Sequence, residues 1–368
     1  MKIMLLSAAR SIHTVKWANA IAERNHEVYL VCNRGHEAHT DDLNTDIEQI
    51  ILKYSGTVGY YFNSRELSRV VKDIQPDVVN VHYASGYGTL ARKAHIKTPL
   101  LLSVWGSDVY DFPYESRLKK SILKRNVNFA TKLASTSYCM ADQLRCVMDK
   151  QDLEIIVTPF GVDLTLFEPN NYSQRKSSEE IVIGNIKALE PQYGIDKLLY
   201  AIDILNKKLS KDTNWNKNLV VKIYGSGSQK SYLEELAKKK GIGDIVKFEG
   251  RISNMDVPKA LSDFDIFCAM SQRESFGVAV VEAMAMEVPV VVSDVDGFRE
   301  VVKNKETGII INRDDVYAMA GALEELVRDE VKRISYGKAG RKRVQALYDW
   351  NKNVDLMEKI YNKLIKTG

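Results

Sequence analysis

The sequence predicts an α/β protein with two doubly wound domains, each a parallel β-sheet covered by helices on both faces. Three observations predict it: short apolar runs recur along the chain, amphipathic helical patterns separate them, and the alternation restarts after a polar segment near residue 170. Continuous apolar strands between helices are typical of parallel sheets buried on both faces. A chain of 368 residues is long enough for two such domains.

The strands follow one another in the same manner in both halves. Those of the first half read KIMLLSAA, EVYLVC, EQIILKY, DVVNVH, PLLLSVW and KLASTS, with helical patterns such as TVKWANAIAERN and RELSRVVKDIQ between them. Those of the second half read EIVIGNI, NLVVKIYG, IVKFEG, DIFCAM, PVVVSD and GIIIN. The Asn-, Ser- and charge-rich segment around 168–179 is the linker candidate. We therefore expect domains over residues 1–165 and 166–349, and a final helix over 350–368 that the pattern alone assigns to neither.

The composition argues against several classes of protein. A formal net charge of +4 is too small to indicate general binding to nucleic acid. The four cysteines lie far from any CxxC or Cys/His spacing, which favours reduced thiols over disulfides or a zinc site. The apolar run in MKIMLLSAARS is too short for a signal peptide, and no run approaches the ~18 apolar residues of a transmembrane helix. We expect a cytoplasmic protein that is soluble or at most peripheral.

Two glutamates interrupt the apolar stretch ESFGVAVVEAMAMEVPVVVSD. Glu274 and Glu282 are separated by seven residues, and a buried carboxylate needs a compensating partner. We expect a helix to begin near Phe276, with Glu274 just before it and Glu282 on its second turn. The amides of residues 276–278 would then form an anion site. A nucleotide sugar offers hydroxyls to carboxylates and phosphates to amides, but a helix-start residue and an ion pair explain the spacing equally well.

The stretch ESFGVAVVEAMAMEVPVVVSDVDGFREVV, followed by ETGIII, closely resembles the E-x7-E signature of the retaining glycosyltransferase family 4, whose members have the GT-B fold. TPFGVDLTLFEP, IYGSGSQKSYLEELAKKKGI, VKFEGRISNMDVPKAL and SDFDIFCAMSQRESFG resemble family segments in the family's order, and YDWNKNVDLMEKIYNKL resembles the helix that crosses back to the first domain. The resemblance covers nearly the whole chain and is most specific in 245–311. It implies two Rossmann-like domains that face each other across a cleft, with the acceptor side on the first domain and the nucleotide sugar on the second.

The resemblance also implies roles for the glutamates and for the helix start between them. Glu282 would bind the ribose hydroxyls of the nucleotide, and Glu274 would contact hydroxyls of the transferred sugar. Catalysis would then be positioning and electrostatic stabilisation of the leaving diphosphate. The residues that would hold sugar or phosphate oxygens are Ser275, Phe276, Gly277 and Val278.

The negative charge of the diphosphate requires positively charged side chains nearby. Members of the family have them in the first loop of the second domain. In IGNIKALEPQYGIDKLL, Lys187 is the candidate for this contact, although a solvated loop lysine is the plainer explanation. The family's second lysine, just before a glycine, is replaced by Tyr193, which departs from the pattern. The second cation is therefore missing or comes from Arg251 or Lys197.

On the acceptor side, His82 ends the strand DVVNVH, where ligands bind in parallel sheets. A lone histidine is more often structural, but the family places a sugar-contacting histidine there. Trp105 and Asp108 follow the next strand in SVWGSDVY, where the family often has His-Gly-x-Asp. We expect this segment to line the cleft wall, with the Trp105 ring offered to a sugar or acceptor.

The first loop, SAARSIHTVKWA, lacks the paired glycines found in many family members. Ser11, His13 and Thr14 stand there at the start of a helix and are acceptor-side candidates. A helix cap explains Ser11 or Thr14 as well as a ligand contact does. His13 would contact the acceptor or a phosphate.

A basic helix is predicted in YESRLKKSILKRN. Its cationic residues are Arg117, Lys119, Lys120, Lys124 and Arg125. This pattern fits peripheral contact with an anionic membrane, although a solvated helix face is the commoner explanation. The turn GSGS is a weak phosphate signal that a tight turn explains. We assign no Asp-x-Asp pair to a metal-bound diphosphate and expect no required metal and no cofactor.

These observations predict a retaining, metal-independent hexosyltransferase. It would move a hexosyl unit from a UDP- or GDP-sugar to a hydroxyl of a glycan acceptor, expected to be lipid-linked, in surface polysaccharide or glycoconjugate synthesis. Two alternatives stay open. A nucleotide-sugar 2-epimerase of the same fold would need further acid and base groups around the sugar's second carbon, and none stands out. A non-catalytic subunit would be expected to have lost one of the two glutamates, and both are present.

Overall fold

The chain, described here by a computed structural model over residues 1–172 and 179–367, forms two compact units. The first comprises residues 1–159 together with the C-terminal segment from Lys352, and the second comprises residues 160–351. The division at Pro159 precedes the boundary expected at residue 165. Of the predicted linker, 173–178 lie outside the described residues, and a 3₁₀ turn at Pro169–Asn171 precedes them.

The first unit contains a parallel sheet of seven strands in the order β3-β2-β1-β4-β5-β6-β7. Each of the six strands predicted there is present, and the seventh has only two residues. The strands are β1 (Lys2–Leu6), β2 (Glu27–Arg34), β3 (Ile47–Ser55), β4 (Val78–His82), β5 (Leu100–Val104), β6 (Lys132–Ser135) and β7 (Ile156–Val157).

Eight helices of the first half cover this sheet and enclose a core that includes Met4, Val81 and Leu102. Strands β1, β4 and β5 are almost entirely buried because helices cover both of their faces. The helices are α1 (Ile12–Ala22), α2 (Gly56–Phe62), α3 (Ser64–Ile74), α4 (Gly86–Lys93), α5 (Ser107–Tyr110), α6 (Phe112–Glu115), α7 (Arg117–Phe129) and α8 (Tyr138–Met148).

The second unit repeats the plan with six parallel strands in the order β10-β9-β8-β11-β12-β13. All six correspond to the predicted runs. They are β8 (Glu180–Ile186), β9 (Asn218–Tyr224), β10 (Val246–Gly250), β11 (Ile266–Ala269), β12 (Val290–Ser293) and β13 (Gly308–Ile311). The helices are α9 (Ile195–Leu209), α10 (Lys230–Lys239), α11 (Val257–Ser262), α12 (Val278–Ala285), α13 (Asp296–Val301), α14 (Val316–Arg328) and α15 (Glu330–Leu347).

The last helix, α16 (Trp350–Thr367), packs on the first sheet. Tyr361 is fully buried, and its hydroxyl accepts a hydrogen bond from Asn80 of β4 at 2.7 Å. Arg24 and His26 pair with the acidic residues Asp355 and Glu358 of the same helix. Within the described part of the chain, every helix is too short or too polar to cross a membrane.

Both sheets reverse their strand order at one point. In the first sheet β1 lies between β2 and β4, and in the second β8 lies between β9 and β11. Loops leave a parallel sheet in opposite directions on either side of such a point, so a crevice opens beyond the carboxyl ends of the strands. The segments that follow β1, β4, β8 and β11 are therefore the places to look for ligand-binding side chains.

Candidate functional site

An ion pair lies at the reversal point of the second sheet. Lys187 follows β8 and Glu274 follows β11, so the fold brings together two residues 87 positions apart. Lys187 Nζ donates to Glu274 Oε2 at 2.7 Å, and the side chains are 22% and 16% exposed. Because both side chains are partly exposed, each can leave the ion pair and bind a ligand instead. The two residues predicted to contact the donor sugar and its diphosphate thus lie side by side.

Tyr193 holds the same lysine from another side. Lys187 Nζ lies 4.7 Å from the centroid of the Tyr193 ring, within the range of a cation–π interaction. Tyr193 ends a 3₁₀ turn, and Gly194 follows with φ +62°, where a Cβ would clash with the carbonyl oxygen of Met270. The residue that replaces the family's second cation therefore contributes a ring face that positions the first.

The turn GSGS packs closely against the Lys187 loop. Lys187 N donates to Tyr224 O at 3.0 Å, and Leu189 N donates to Ser226 O at 3.0 Å. Gly225 has φ +148°, and a Cβ on it would clash with Lys187 O. The glycine is needed for this close approach of two backbones, which accounts for the motif without a phosphate.

Helix α12 begins two residues later than the sequence suggests. The prediction of a start near Phe276 is corrected by Gly277, which has φ +94°, so that the helix starts at Val278. Phe276 is 3% exposed, with its ring packed against aromatic neighbours, so it can offer a ligand little beyond its backbone. Glu274 O accepts a hydrogen bond from Gly297 N at 3.0 Å, which fixes the turn before the helix.

The remaining donor-side candidates at this helix are half-buried. Ser275 lies in the turn before α12, and Glu282 lies on the second turn of the helix, as predicted. Val278 is half-buried at the first helical position. Their contacts with sugar, phosphate and ribose stay predictions.

The two residues offered as a second cation differ in their surroundings. Lys197 Nζ donates to Arg313 O at 3.0 Å and pairs with Asp314 at 2.6 Å. Arg251 follows β10, is exposed, and forms no hydrogen bond or ion pair with residues 1–172 or 179–367. Arg251 is therefore the more available cation, although its strand is separated from β8 by β9.

Arg313 braces the loop that carries Glu274, a role that the sequence does not indicate. Arg313 Nη1 donates to Gln272 O at 2.9 Å, and its Nε lies 3.2 Å from Asp294 Oδ1. Burial favours a higher pKa for Asp294, but the hydrogen bonds and charge of Arg313 outweigh it and lower that pKa. A fixed Arg–Asp pair beside the loop restricts where Glu274 can lie.

A cavity of about 570 Å³ lies at the opposite, amino ends of the second sheet's strands. Its lining includes Glu180, Asp263, Asp265 and Pro289. Asp263 pairs with Lys222, and Asp265 accepts a hydrogen bond from Val182 N. This cavity does not include the carboxyl-edge residues. Within the described ranges there is no cluster of three or more His, Cys, Asp or Glu side chains that could hold a metal ion.

In the first unit, His82 belongs to a buried hydrogen-bond network at the reversal point. His82 Nδ1 lies 3.1 Å from Ser7 Oγ, which lies 2.8 Å from Thr14 Oγ1, and all three residues are buried. Burial and then the nearby His13 lower the pKa of His82 to about 3. The imidazole is therefore neutral at pH 7. Thr14 lies inside the protein, away from any acceptor-side surface.

Trp105 and Asp108 are less exposed than a cleft wall requires. Trp105 is 9% exposed and its ring stacks on His82 at 4.0 Å, so one face is already covered. Asp108 is buried and accepts hydrogen bonds from Ala84 N (2.8 Å), Trp105 N (3.1 Å) and Gly106 N (2.9 Å). Burial raises the pKa of Asp108, and those bonds oppose the rise. This corrects the expected placement: Asp108 ties two loops together and does not face solvent.

Ser11 and His13 remain the accessible candidates of the first loop. Ser11 is at the N-cap position of α1, but its side chain makes no capping hydrogen bond. His13 is half-buried, and its ring lies 6.2 Å from that of Trp105. Their contacts with an acceptor stay predictions.

Beside them lies a cluster that the sequence does not reveal. His36 Nδ1 lies 2.8 Å from Tyr87 Oη, and the Tyr60 ring lies 6.3 Å from His36 and 5.2 Å from Tyr87. Arg10 Nη1 donates to Gly35 O at 3.1 Å. These residues come from separate segments after β1, β2 and β3 and from α4, so no local motif marks them.

Comparisons with known proteins identify relatives of this chain. The family model described as glycosyl transferases group 1 matches residues 168–343, and the model described as glycosyl transferase 4-like matches residues 2–137. The phosphatidyl-myo-inositol mannosyltransferase of Mycobacterium leprae is 33% identical over 147 residues, which are 40% of this chain and 38% of that protein. The putative teichuronic acid biosynthesis glycosyltransferase TuaC of Bacillus subtilis is 25% identical over 306 residues, 81% of this chain and 73% of TuaC.

Among solved structures, Anabaena HepE in complex with UDP superposes with a TM-score of 0.82 at 15% identity, over 99% of this chain and 100% of HepE. With the two parallel sheets, this likeness confirms the predicted α/β fold of GT-B type. The match with the mannosyltransferase spans about two fifths of that protein's length.

Proposed function

Since this chain belongs to the glycosyltransferases of the group 1, family 4 type, we propose that it moves a hexosyl unit from a UDP- or GDP-sugar to a hydroxyl of a glycan acceptor, with retention of configuration. The observation that carries the proposal is the Lys187–Glu274 pair at the reversal point of the second sheet. A nucleotide sugar needs a cation for its diphosphate and an acceptor for its sugar hydroxyls in one place. The UDP complex of HepE supports a uridine nucleotide as one candidate.

The names of the relatives support the proposed class of acceptor. One relative is a phosphatidyl-myo-inositol mannosyltransferase, and another is assigned to teichuronic acid biosynthesis. The first acts on a lipid and the second in the synthesis of a polysaccharide. We therefore propose a lipid-linked glycan acceptor for this chain, in surface polysaccharide or glycoconjugate synthesis, at the cytoplasmic face of a membrane.

In the proposed reaction the bond from the sugar carbon to the diphosphate oxygen breaks, and a bond to the acceptor oxygen forms. Lys187 offsets the charge that develops on the leaving diphosphate, so that no metal is required. Glu274 accepts hydrogen bonds from sugar hydroxyls, and Glu282 from the ribose. The acceptor proton passes to the departing diphosphate. His82, being neutral and buried, offers the reaction no charge.

Donor turnover without acceptor tests this proposal. The protein is incubated with a panel of UDP- and GDP-sugars, and release of free UDP or GDP is measured. We expect slow release from one donor, about 100-fold slower in Glu274→Gln. The matched control is Glu190→Gln, a carboxylate in the same unit that accepts hydrogen bonds from Ser228.

Three results would contradict the proposal: no release from any donor, equal loss in both variants, or conversion of UDP-GlcNAc to its 2-epimer. If a donor is found, the anomeric configuration of the glycoside formed with a simple alcohol shows whether the transfer retains configuration. An inverted product would remove that part of the proposal.

A further inference from the structure

The outward face of α2 carries a cluster of exposed apolar side chains that the proposed reaction does not use. Val58, Tyr61 and Phe62 lie on one face of this helix and are 55%, 40% and 67% exposed. Tyr54, at the end of β3, is 40% exposed, and its ring lies 6.1 Å from that of Phe62. We call these four residues the α2 patch. Among the described residues, sixteen large hydrophobic side chains are exposed, and four of them lie within the nine positions 54–62. Such a concentration marks an interaction surface.

Positive charge surrounds the α2 patch. Lys53 Nζ lies 5.3 Å from the Tyr54 ring centroid, and Lys93 Nζ lies 5.6 Å from that of Tyr61. Arg65 follows the patch on the first turn of α3 and is exposed. Lys53, Arg65 and Lys93 form no ion pair with any residue in the described ranges. Glu66 lies among them, and its carboxylate accepts a hydrogen bond from Lys53 N at 3.0 Å. Three basic side chains and one acidic side chain thus surround the patch, and an apolar centre with a net basic rim complements an anionic lipid surface.

The basic helix α7 differs in this respect. Lys119 pairs with Glu115, and Lys124 and Lys120 lie 2.6 and 4.0 Å from Asp149. Its lysines are therefore largely compensated within the protein. Arg117 and Arg125 of α7 are exposed and form no ion pair with the described residues, but Leu118 is the one large apolar side chain of this helix that is exposed. The sequence points to α7 as the surface for a membrane, whereas the concentration of exposed apolar side chains beside unpaired charge lies at α2.

The size and chemistry of the α2 patch favour a bilayer over a second copy of the chain. The exposed fractions of its four side chains amount to roughly 400 Å², about half of the surface that each partner buries in a stable protein interface. Two of the four are tyrosines, whose rings are apolar and whose hydroxyls are polar. Such side chains are favoured at the level of the lipid headgroups.

Helix α2 also reaches the acceptor side of the first unit. On its inner face Tyr60 packs against His36 and Tyr87, at the carboxyl end of the first sheet. We propose that the α2 patch docks on an anionic bilayer, with Phe62 and Val58 at the boundary of the acyl chains and Lys53 and Lys93 at the phosphates. A lipid-linked acceptor would then meet the protein beside this edge of the sheet. That purpose rests on the proposed function, whereas the docking itself does not.

Sedimentation with vesicles tests the docking without donor or acceptor. The full chain is mixed with vesicles of phosphatidylcholine and phosphatidylglycerol, and separately with vesicles of phosphatidylcholine alone. We expect preferential binding to the mixed vesicles and about tenfold weaker binding by Phe62→Asp. The double variant Lys53→Gln with Lys93→Gln should bind the mixed vesicles several-fold more weakly and lose the preference.

Two matched variants serve as controls. Tyr317→Asp changes a 78% exposed side chain in the second unit, and Leu118→Asp changes a 70% exposed side chain of α7. Both should bind vesicles as the unaltered chain does. Because all of these side chains lie at the surface, unchanged circular dichroism melting curves are expected and exclude misfolding as the cause of any loss.

The proposal is overturned if the unaltered chain binds neither vesicle, if Phe62→Asp binds as well as the unaltered chain, or if Leu118→Asp is the variant that loses binding. It is also overturned if sedimentation velocity shows a dimer that Phe62→Asp dissociates, because the patch would then face a second copy. Donor turnover in solution should be unchanged in Phe62→Asp. Vesicle binding without any donor turnover would reject the proposed function and leave the docking surface standing.

Discussion

The carboxyl ends of the two sheets carry polar side chains of opposite character. In the first unit His82 and Asp108 are buried, and the protein itself provides their partners. In the second unit Lys187 and Glu274 are charged, partly exposed and paired chiefly with each other. A polar residue at a strand end is therefore not by itself evidence of a ligand site. One set stabilises loops, and the other can exchange its partner for a substrate.

The largest effect on activity should follow removal of the positive charge of Lys187 in the second unit. Lys187→Ala leaves the diphosphate without its nearest cation, so kcat/KM for donor turnover should fall by about 10²–10³-fold. Lys197→Ala is the matched control, because Lys197 is held by Asp314 and Arg313, and its kcat/KM should change by less than about threefold. A comparable loss of kcat/KM in both variants would show that the lysine paired with Glu274 is no more important for donor turnover than Lys197.

In the first unit, substitution of the buried carboxylate of Asp108 should lower the stability of the fold. Asp108→Asn exchanges one accepting oxygen for a donating group, so at least one buried backbone N–H loses its acceptor. The free energy of unfolding, measured by urea denaturation, should fall by about 2–4 kcal/mol. Asp142→Asn, at an exposed carboxylate paired with Arg145, should change it by less than about 0.5 kcal/mol. If Asp108→Asn leaves the stability unchanged but abolishes sugar transfer, Asp108 contacts a ligand, as the sequence predicted.

The buried histidine should make stability depend on pH. The folded-state pKa of His82 is about 3, below its ordinary value of 6.5, mainly because burial disfavours the charged ring. Between these values the unfolded chain binds a proton that the folded chain does not, so His82 costs stability as the pH falls below 6.5. The unfolding free energy of the unaltered chain should lose about 1.4 kcal/mol more per pH unit than that of His82→Gln across this range. Parallel pH curves for the two proteins would show that His82 is not buried in this way.

The smallest effect concerns the ring beneath Lys187. Tyr193→Phe keeps the aromatic face and should bind UDP or GDP as the unaltered chain does. Tyr193→Ala removes the cation–π contact, worth about 0.5–1 kcal/mol near a surface, and should weaken nucleotide binding about two- to fivefold. If Tyr193→Phe binds as weakly as Tyr193→Ala, the hydroxyl rather than the ring is the functional group.

The fold could be predicted from the sequence because continuous apolar strands such as VVNVH and VVVS are buried whatever the loops do. Helix boundaries that depend on a single backbone angle could not be predicted from the sequence. The start of α12, set by the positive φ of Gly277, is an example. Helix α2 is hard to predict because its seven residues, GTVGYYF, include two glycines, which have a low helix propensity.

The candidate site could be predicted only in part. Lys187 and Glu274 were identified by their resemblance to a family motif, and the fold brings them together. The burial of Thr14 and Asp108 could not be foreseen, because it depends on which distant loops pack above them. The cluster of Arg10, His36 and Tyr60 comes from three separate strand ends and leaves no mark in any one segment.

Titration calorimetry with UDP and GDP tests the central claim, that the donor's diphosphate binds at the charged edge of the second unit. Lys187→Ala should raise the Kd of the preferred nucleotide at least about tenfold and weaken its dependence on salt. His82→Gln should change that Kd less than about twofold, since a neutral buried imidazole offers the diphosphate no charge. Weakened binding in His82→Gln with unchanged binding in Lys187→Ala would contradict the account.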